Sequence, residues 1–248
     1  GPLIEAPAGF NSFAFYSSDG RKPASVSGHG GYQRDRQGNS SLFLGTSAVL
    51  KAAGGHSLTL GPHFSKSRFS RFYFADYPDP TATATFGRRY LFSPLTQTVL
   101  SVTGRLEYYF SPDLSLQVYA QPFVATADFR APGALATPRS YRFTAFGTGG
   151  STIVTDPATD ETTVDADGTG PAPGYTYLNP DFRVRSLRSN VVLRWEYRPG
   201  STLFLVWNQN RFNVGSDPRF RALRDLGGIF SDDMQNVFLV KANYYLSF

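Results

Sequence analysis

Three histidines, no cysteine and one aspartate-rich stretch frame the catalytic and metal chemistry open to this 248-residue chain. Without cysteine, disulfide scaffolds, thiolate metal sites and thiol nucleophiles are excluded. His56 falls in a predicted short turn with His63 a few residues on, and His29 lies mid-strand near Ser25 and Ser27. No carboxylate stands at strand spacing from His29 to orient it as a base, so hydrolysis is the weakest functional reading and the chain is expected not to be an enzyme. Asp156, Asp160, Glu161, Asp165 and Asp167 share one long loop, and Asp165-Ala166-Asp167-Gly168 resembles the start of a calcium loop. The downstream bidentate Glu of such a loop is missing, so a solvated turn is preferred and calcium in the 156–168 loop is the alternative. No metal site or cofactor is expected otherwise.

A third set of residues is defined by phase. Arg105, Glu107, Tyr119, Arg188, Arg194, Glu196 and Lys241 all fall on the polar phase of alternating segments, together with Phe123 and Tyr245. In a membrane-spanning sheet a lipid-facing charge at mid-depth costs about 2–4 kcal/mol, so these residues are expected to line an interior. Mixed signs there suit either struts between strands or the selectivity of an aqueous pore, and the aromatic rings suit lumen filling or stacking on sugars.

The elements that must position them are strands, because successive side chains of a strand point to opposite faces. Phe238, Val240 and Ala242 alternate with Leu239, Lys241 and Asn243; Leu106, Tyr108 and Phe110 alternate with Arg105 and Glu107. Leu114, Leu116 and Val118 alternate with Ser115, Gln117 and Tyr119, and Val191, Leu193 and Trp195 with Asn190, Arg194 and Glu196. Ala24 to Tyr32, Leu42 to Leu50, Leu58 to Phe64 and an opening strand with Phe13 and Phe15 follow the same rule. From Leu203 to Trp207 both faces are apolar, which leaves that strand without a phase. About nine strands result, most of ten to fifteen residues. A bilayer-crossing strand needs roughly 9–11 residues, whereas strands of soluble proteins average about 5–6.

Connections alternate in length. Short turns stand at Asp19-Gly20, Gly54-Gly55, Pro112-Asp113 and Pro199-Gly200, and long connections at 75–95, 130–183 and 213–235, with Arg34 to Ser41 the one short exception. Short periplasmic turns opposite longer extracellular loops characterise outer-membrane barrels. Aromatics gather at both ends, with Tyr108, Tyr109, Phe110, Trp195 and Tyr197 beside the short turns and Phe69, Phe72, Tyr73, Phe74 and Tyr77 opposite, as two interfacial girdles require. Composition agrees: 15 % aromatic, 17 % charged, 24 Gly and 17 Pro suit strands and turns rather than an ordinary soluble globule. The net charge of +5 is scattered singly, which argues against a nucleic-acid partner.

Tyr244, Leu246 and Phe248 end the chain as an alternating signature similar to the strand read by the bacterial barrel-assembly machinery. The fold expected is therefore all-β, an antiparallel up-and-down transmembrane β-barrel in the outer membrane. Nine strands are an odd number, and a complete single-chain bacterial barrel normally starts and ends in the periplasm with an even one. Residues 1–248 are accordingly expected to be the C-terminal portion of a larger barrel, completed by earlier strands or a partner chain.

Several segments carry a more specific likeness: Arg21-Lys22-Pro23, Asp79 to Tyr90, SPDLSLQVYAQPF from Ser111, SLRSNVVLRWEYRPGSTLFLVW from Ser186, and NVFLVK from Asn236. The chain resembles, over nearly its whole length, the C-terminal half of the bacterial outer-membrane proteins that join a carbohydrate-binding-module-family-9-like domain to a barrel. The resemblance implies an upstream signal peptide, sugar-binding domain and earlier strands, and Gly1-Pro2-Leu3 as native strand sequence; the remnant of a protease site is the competing reading. It implies architecture more than activity. The function expected is a conduit or surface-assembly platform associated with glycan binding, with a structural subunit lacking transport as the alternative and a barrel hydrolase as the third reading.

Overall fold

A computed structural model describes residues 3–246 of the chain. Six strands come first: β1 (Gly9–Ser17), β2 (Ala24–Asp35), β3 (Ser40–Lys51), β4 (Ser57–Pro78), β5 (Arg88–Ser111) and β6 (Leu114–Phe129). Five short ones follow, β7 (Gly133–Leu135), β8 (Phe143–Ala145), β9 (Thr152–Thr155), β10 (Glu161–Asp165) and β11 (Tyr175–Leu178). Then come β12 (Phe182–Arg198), β13 (Ser201–Gly215), the helix α1 (Ala222–Gly228) and β14 (Met234–Asn243). The nine long strands pair in chain order, β1-β2-β3-β4-β5-β6-β12-β13-β14, and every pairing is antiparallel. The fold is thus all-β. Among the described residues β1 pairs only with β2 and β14 only with β13, so the sheet is open at both edges.

The register shows why the alternation works. Tyr108 lies opposite Leu116, Leu116 opposite Leu193, Leu193 opposite Leu205 and Leu205 opposite Val240, so five strands place apolar side chains on one face. Leu106, Leu58, Leu50 and Ala24 continue that face across β5, β4, β3 and β2. The pairing of Leu205 with Leu193 also settles the phase of β13: Leu203, Leu205 and Trp207 are on the apolar face, Phe204 and Val206 on the other.

Local chemistry sets the turns. The Ser111 hydroxyl accepts hydrogen bonds from the N–H groups of Asp113 (3.2 Å) and Leu114 (3.1 Å), closing the β5–β6 reversal. Gly200 turns β12 into β13 at φ +76°, a region in which a Cβ would be strained. The β2–β3 turn is held by Asp35, whose carboxylate accepts from the N–H groups of Gln37 and Asn39 at 2.9 Å.

The long connections are more ordered than their composition suggests. The 75–95 connection is mostly strand, since β4 and β5 run on to Pro78 and from Arg88, past two register shifts. The 213–235 connection likewise loses its ends to β13 and β14. Within 130–183, β7 adds to β5 and pairs with β8, while β9, β10 and β11 form a separate three-stranded sheet. Leu91, Ala134, Phe146, Val164 and Tyr175 form a core beneath this cap, with Phe74, Tyr77 and Tyr177 packed against it. Phe74 and Tyr77 therefore belong to the cap core rather than to an aromatic girdle, Tyr77 stacking on Tyr175 at 4.6 Å. Their neighbours Phe72 and Tyr73 stay exposed.

Burial in the cap raises the Tyr177 phenol from its ordinary 10.0 up to about 12, and Tyr175 is raised by the same cause. The folded cap holds these protons more tightly than an unfolded chain does. Its stability is therefore full below pH 10 and falls as the pH climbs from 10 through about 12. Tyrosinate absorbance and amide exchange of residues 143–178, followed together, should show the cap loosening over that window; a cap unchanged through pH 12 contradicts it.

The terminal signature is shorter than expected. β14 ends at Asn243, opposite Thr202, because β13 begins at Ser201 and offers no partner beyond it. Tyr244 and Leu246 follow outside the strand, both exposed, and Phe248 lies outside the described residues, as do Gly1 and Pro2.

Candidate functional site

The non-apolar face of the sheet carries the site expected from phase. Arg105 and Glu107 on β5, Tyr119 on β6, Arg188, Arg194 and Glu196 on β12 and Lys241 on β14 all occupy it, as does Phe123. Ser101, Thr103, Gln117, Gln121, Asn190 and Asn208 lie among them. In the half of the sheet near the short turns, the charges and amides lie on one face beside Val192, Phe204 and Val206, while Leu116, Leu193, Leu205, Trp195 and Trp207 lie on the other.

The charges do not form one cluster. Arg194 Nη2 reaches Glu196 at 2.8 Å along the same strand and face. Arg105 lies over the Tyr119 ring at 5.3 Å, and Lys241 over Phe204 at 6.0 Å. Such exposed cation–π contacts contribute about 0.5–1 kcal/mol and keep the rings from turning freely. Glu107 accepts from the Ser57 hydroxyl at 3.4 Å. Arg188 stands apart from all carboxylates, in a cavity of about 350 Å³ lined also by Tyr119, Asn190, Asn208, Asn210 and Gln235. Asn190 donates to Asn208 at 2.5 Å across the β12–β13 pair. Struts of opposite charge between strands are thus absent among these seven residues; side chains are held by aromatic rings and amides instead.

The amide group was missed in the sequence because Asn208 and Asn210 sit on β13, the strand whose two apolar faces hid its phase. Once the phase is set by Leu205 opposite Leu193, both asparagines join Arg188 and Tyr119 on the polar face. An amide donates and accepts at once, so this lining suits water and neutral polyhydroxyl groups as well as ions.

His29 and His63 also lie on the polar face, with ring centroids 6.5 Å apart. Gly45 between them has no side chain, and a Cβ there would stand 2.5 Å from His29 Cε1. No carboxylate hydrogen-bonds to either ring among the described residues. His56 stacks on Tyr108 at 4.5 Å by the short turns and accepts from the Tyr109 N–H through Nδ1 at 3.1 Å, a structural role. Beside it, Tyr108, Phe110, Trp195 and Tyr197 form an exposed aromatic belt at the short-turn end.

In the cap, Asp165 Oδ1 accepts from the N–H groups of Asp167 (3.2 Å) and Gly168 (2.9 Å), and Asp167 Oδ2 from Ala172 (3.0 Å). Asp156 accepts from the Ala158 N–H at 2.8 Å and Asp160 from the Asn179 side chain at 3.3 Å. Asp156, Asp165 and Asp167 close local turns and Asp160 ties to the end of β11, and no group of three metal-ligating side chains converges among the described residues. At the C-terminus, Tyr244 receives a hydrogen bond from Arg198 Nη1 at 2.6 Å, and the Tyr245 N–H donates to the Ser201 hydroxyl at 3.0 Å. Tyr245 is thereby fixed at the β12–β13 turn, off the sheet face that phase assigned to it.

Compared with family models, with curated proteins and with solved structures, the chain matches none.

Proposed function

We propose that this chain is the C-terminal part of an outer-membrane β-barrel whose apolar face meets lipid and whose polar face lines the interior. One observation carries the reading. Interior strands of the sheet leave large apolar side chains in the open on one face, Leu50 at 54 % and Leu60 at 46 % exposed, and the band extends from Val26 to Phe238. A soluble monomer rarely exposes a contiguous apolar patch beyond a few hundred Å². Near the short turns, the opposite face of the strands holds Arg105, Glu107, Arg194, Glu196 and Lys241. Lipid on one side and water on the other match that division.

The open edges fit the same reading. β1 and β14 are exposed along their full lengths. Unpaired backbone groups in hydrocarbon cost several kcal/mol each, so a lipid-inserted sheet must be closed by further strands. With nine strands in chain order, β1 and β14 both run toward the short turns, so direct closure would be parallel. An odd number of earlier strands, from the same polypeptide or a partner, restores the antiparallel pattern. The likeness to barrels preceded by a carbohydrate-binding domain makes the first of these the natural source.

The amide-lined depression at Tyr119 and Arg188 supports a conduit or a glycan-associated platform over a solid structural wall. Planar-bilayer recording of the full-length protein is expected to give steady conductance that falls when Arg188→Trp fills the depression. Absence of any channel activity would favour the structural subunit that transports nothing.

A further inference from the structure

The apolar face does not stay apolar to the end of its strands. On β2, Val26, Gly28, Gly30 and Tyr32 are followed by Arg34; on β4, Leu58, Leu60, Pro62 and Phe64 are followed by Lys66 and Arg68. All three cations keep to the apolar face, at the ends remote from the short turns. Arg34 pairs with Ser40 and Ser40 with Arg68, so one short hydroxyl separates the two guanidinium groups, while Lys66 is one pleat below on β4.

Cations at the corresponding ends of β12 and β13 are held by the β13–β14 connection. Arg183 reaches Asp217 at 3.2 Å, Arg185 binds Asp232, and Arg211 donates to the carbonyls of Phe230 (2.6 Å) and Asp232 (3.0 Å). Among the described residues Arg34, Lys66 and Arg68 have no carboxylate partner. Beside Arg68 the surface sinks into a cavity of about 380 Å³ lined by Ser70, Thr96 and Arg130, of which Arg130 is bound to Asp128 at 2.9 Å.

We propose that Arg34, Lys66 and Arg68 form a docking site for the phosphate group of a membrane lipid whose tails lie along the apolar face below. This rests on the reading of that face as lipid-facing. Charge complementarity and position select the ligand: a guanidinium fork matches phosphate oxygens in pairs, the ammonium adds a point charge, and the hydroxyl of Ser40 completes the donors. Tyr32 and Leu42 stand level with Lys66, and the exposed Leu44 lies one pleat lower; there the acyl chains would begin. A free phosphate would use the cations but gain nothing from that band, so the occupant is an amphiphile.

The test uses the full-length protein and the variant R34Q/K66Q/R68Q. Flotation with neutral phosphatidylcholine vesicles comes first; wild type and variant are both expected to insert. If wild type does not insert, the membrane reading fails and this proposal with it. Lipid retention is then measured by native mass spectrometry from micelles doped with equal phosphatidic acid and phosphatidylcholine. At about fivefold per cation near a charged surface, wild type should favour phosphatidic acid by at least tenfold and the triple variant should lose that preference. Should the triple variant fail to insert, K66Q and R68Q singly are each expected to lower the preference by about fivefold. Equal retention of the two lipids by wild type, an unaltered preference in the variants, or displacement of the lipid by millimolar inorganic phosphate would overturn the assignment.

Discussion

With lipid on the apolar face as proposed, Leu193→Arg is expected to destabilise the protein in a bilayer by about 2–4 kcal/mol, while Val192→Arg, one residue away, changes stability by well under 1 kcal/mol. Leu193 sits on the apolar face of β12, between Leu116 and Leu205 on the neighbouring strands. An arginine there must be desolvated or must snorkel past Trp195 toward the short-turn interface. Val192 points to the opposite face, between Gln117 on β6 and Val206 on β13 and flanked along its own strand by Asn190 and Arg194. A charge added there joins water and amides, and its cost is the packing of one longer side chain. Both substitutions change the same strand by one cation, so propensity and net charge cancel in the comparison. Urea titration in vesicles measures the difference. Equal costs at the two positions would mean that both faces meet the same solvent.

Ile229→Ala is expected to cost about 2–5 kcal/mol at the site where the β13–β14 connection docks on the sheet. Ile229 is fully buried, against Val124 of β6 and Leu187 of β12, and Phe220 of the same connection lies 6.4 Å from the Phe64 ring. Three arginines hold the rest: Arg183 to Asp217 and Asp225, Arg185 to Asp232, and Arg211 to two backbone carbonyls. The segment therefore covers the far end of the apolar face, over Val124, Leu187 and Phe64 and among the cations Arg183, Arg185 and Arg211, beyond the run of Val191, Leu193 and Trp195. Asp232→Ala, which strands the mostly buried Arg185, is expected to cost a similar amount, since breaking one half of a buried pair removes compensation but not desolvation. Hydrogen exchange of residues 217–232 should rise in both variants while β6 and β12 stay protected. Unchanged exchange would show that the connection is held by something other than these contacts.

What could be read from the residues was mainly periodicity. Nine strands, their order, and the face taken by each of the seven polar-phase residues follow from alternation and from turn chemistry at Pro112-Asp113 and Pro199-Gly200, which are local and strong. The 130–183 stretch was opaque for the opposite reason. Its strands are three to five residues long, too short for a period to show, and they are stabilised by contact with Leu91, Phe74 and Tyr77 from distant β4 and β5. Asp225 and Asp232 gave no hint of burial, because an aspartate is buried only when a partner such as Arg185 is supplied from another strand. The terminal signature was overextended because alternation continues past Asn243 although the partner strand stops.

Accessibility along β13 tests the central claim most directly, and a chain without cysteine is ready for it. Single cysteines at 203 to 207, spin-labelled one at a time in the full-length protein in vesicles, can be probed with oxygen and with a water-soluble nickel complex. Oxygen, which partitions into lipid, is expected to win at Leu203, Leu205 and Trp207, and the nickel complex at Phe204 and Val206, with a period of two. Uniform access to the nickel complex at all five positions, or the reverse phase, would contradict a sheet with lipid on its apolar face and water on its polar one.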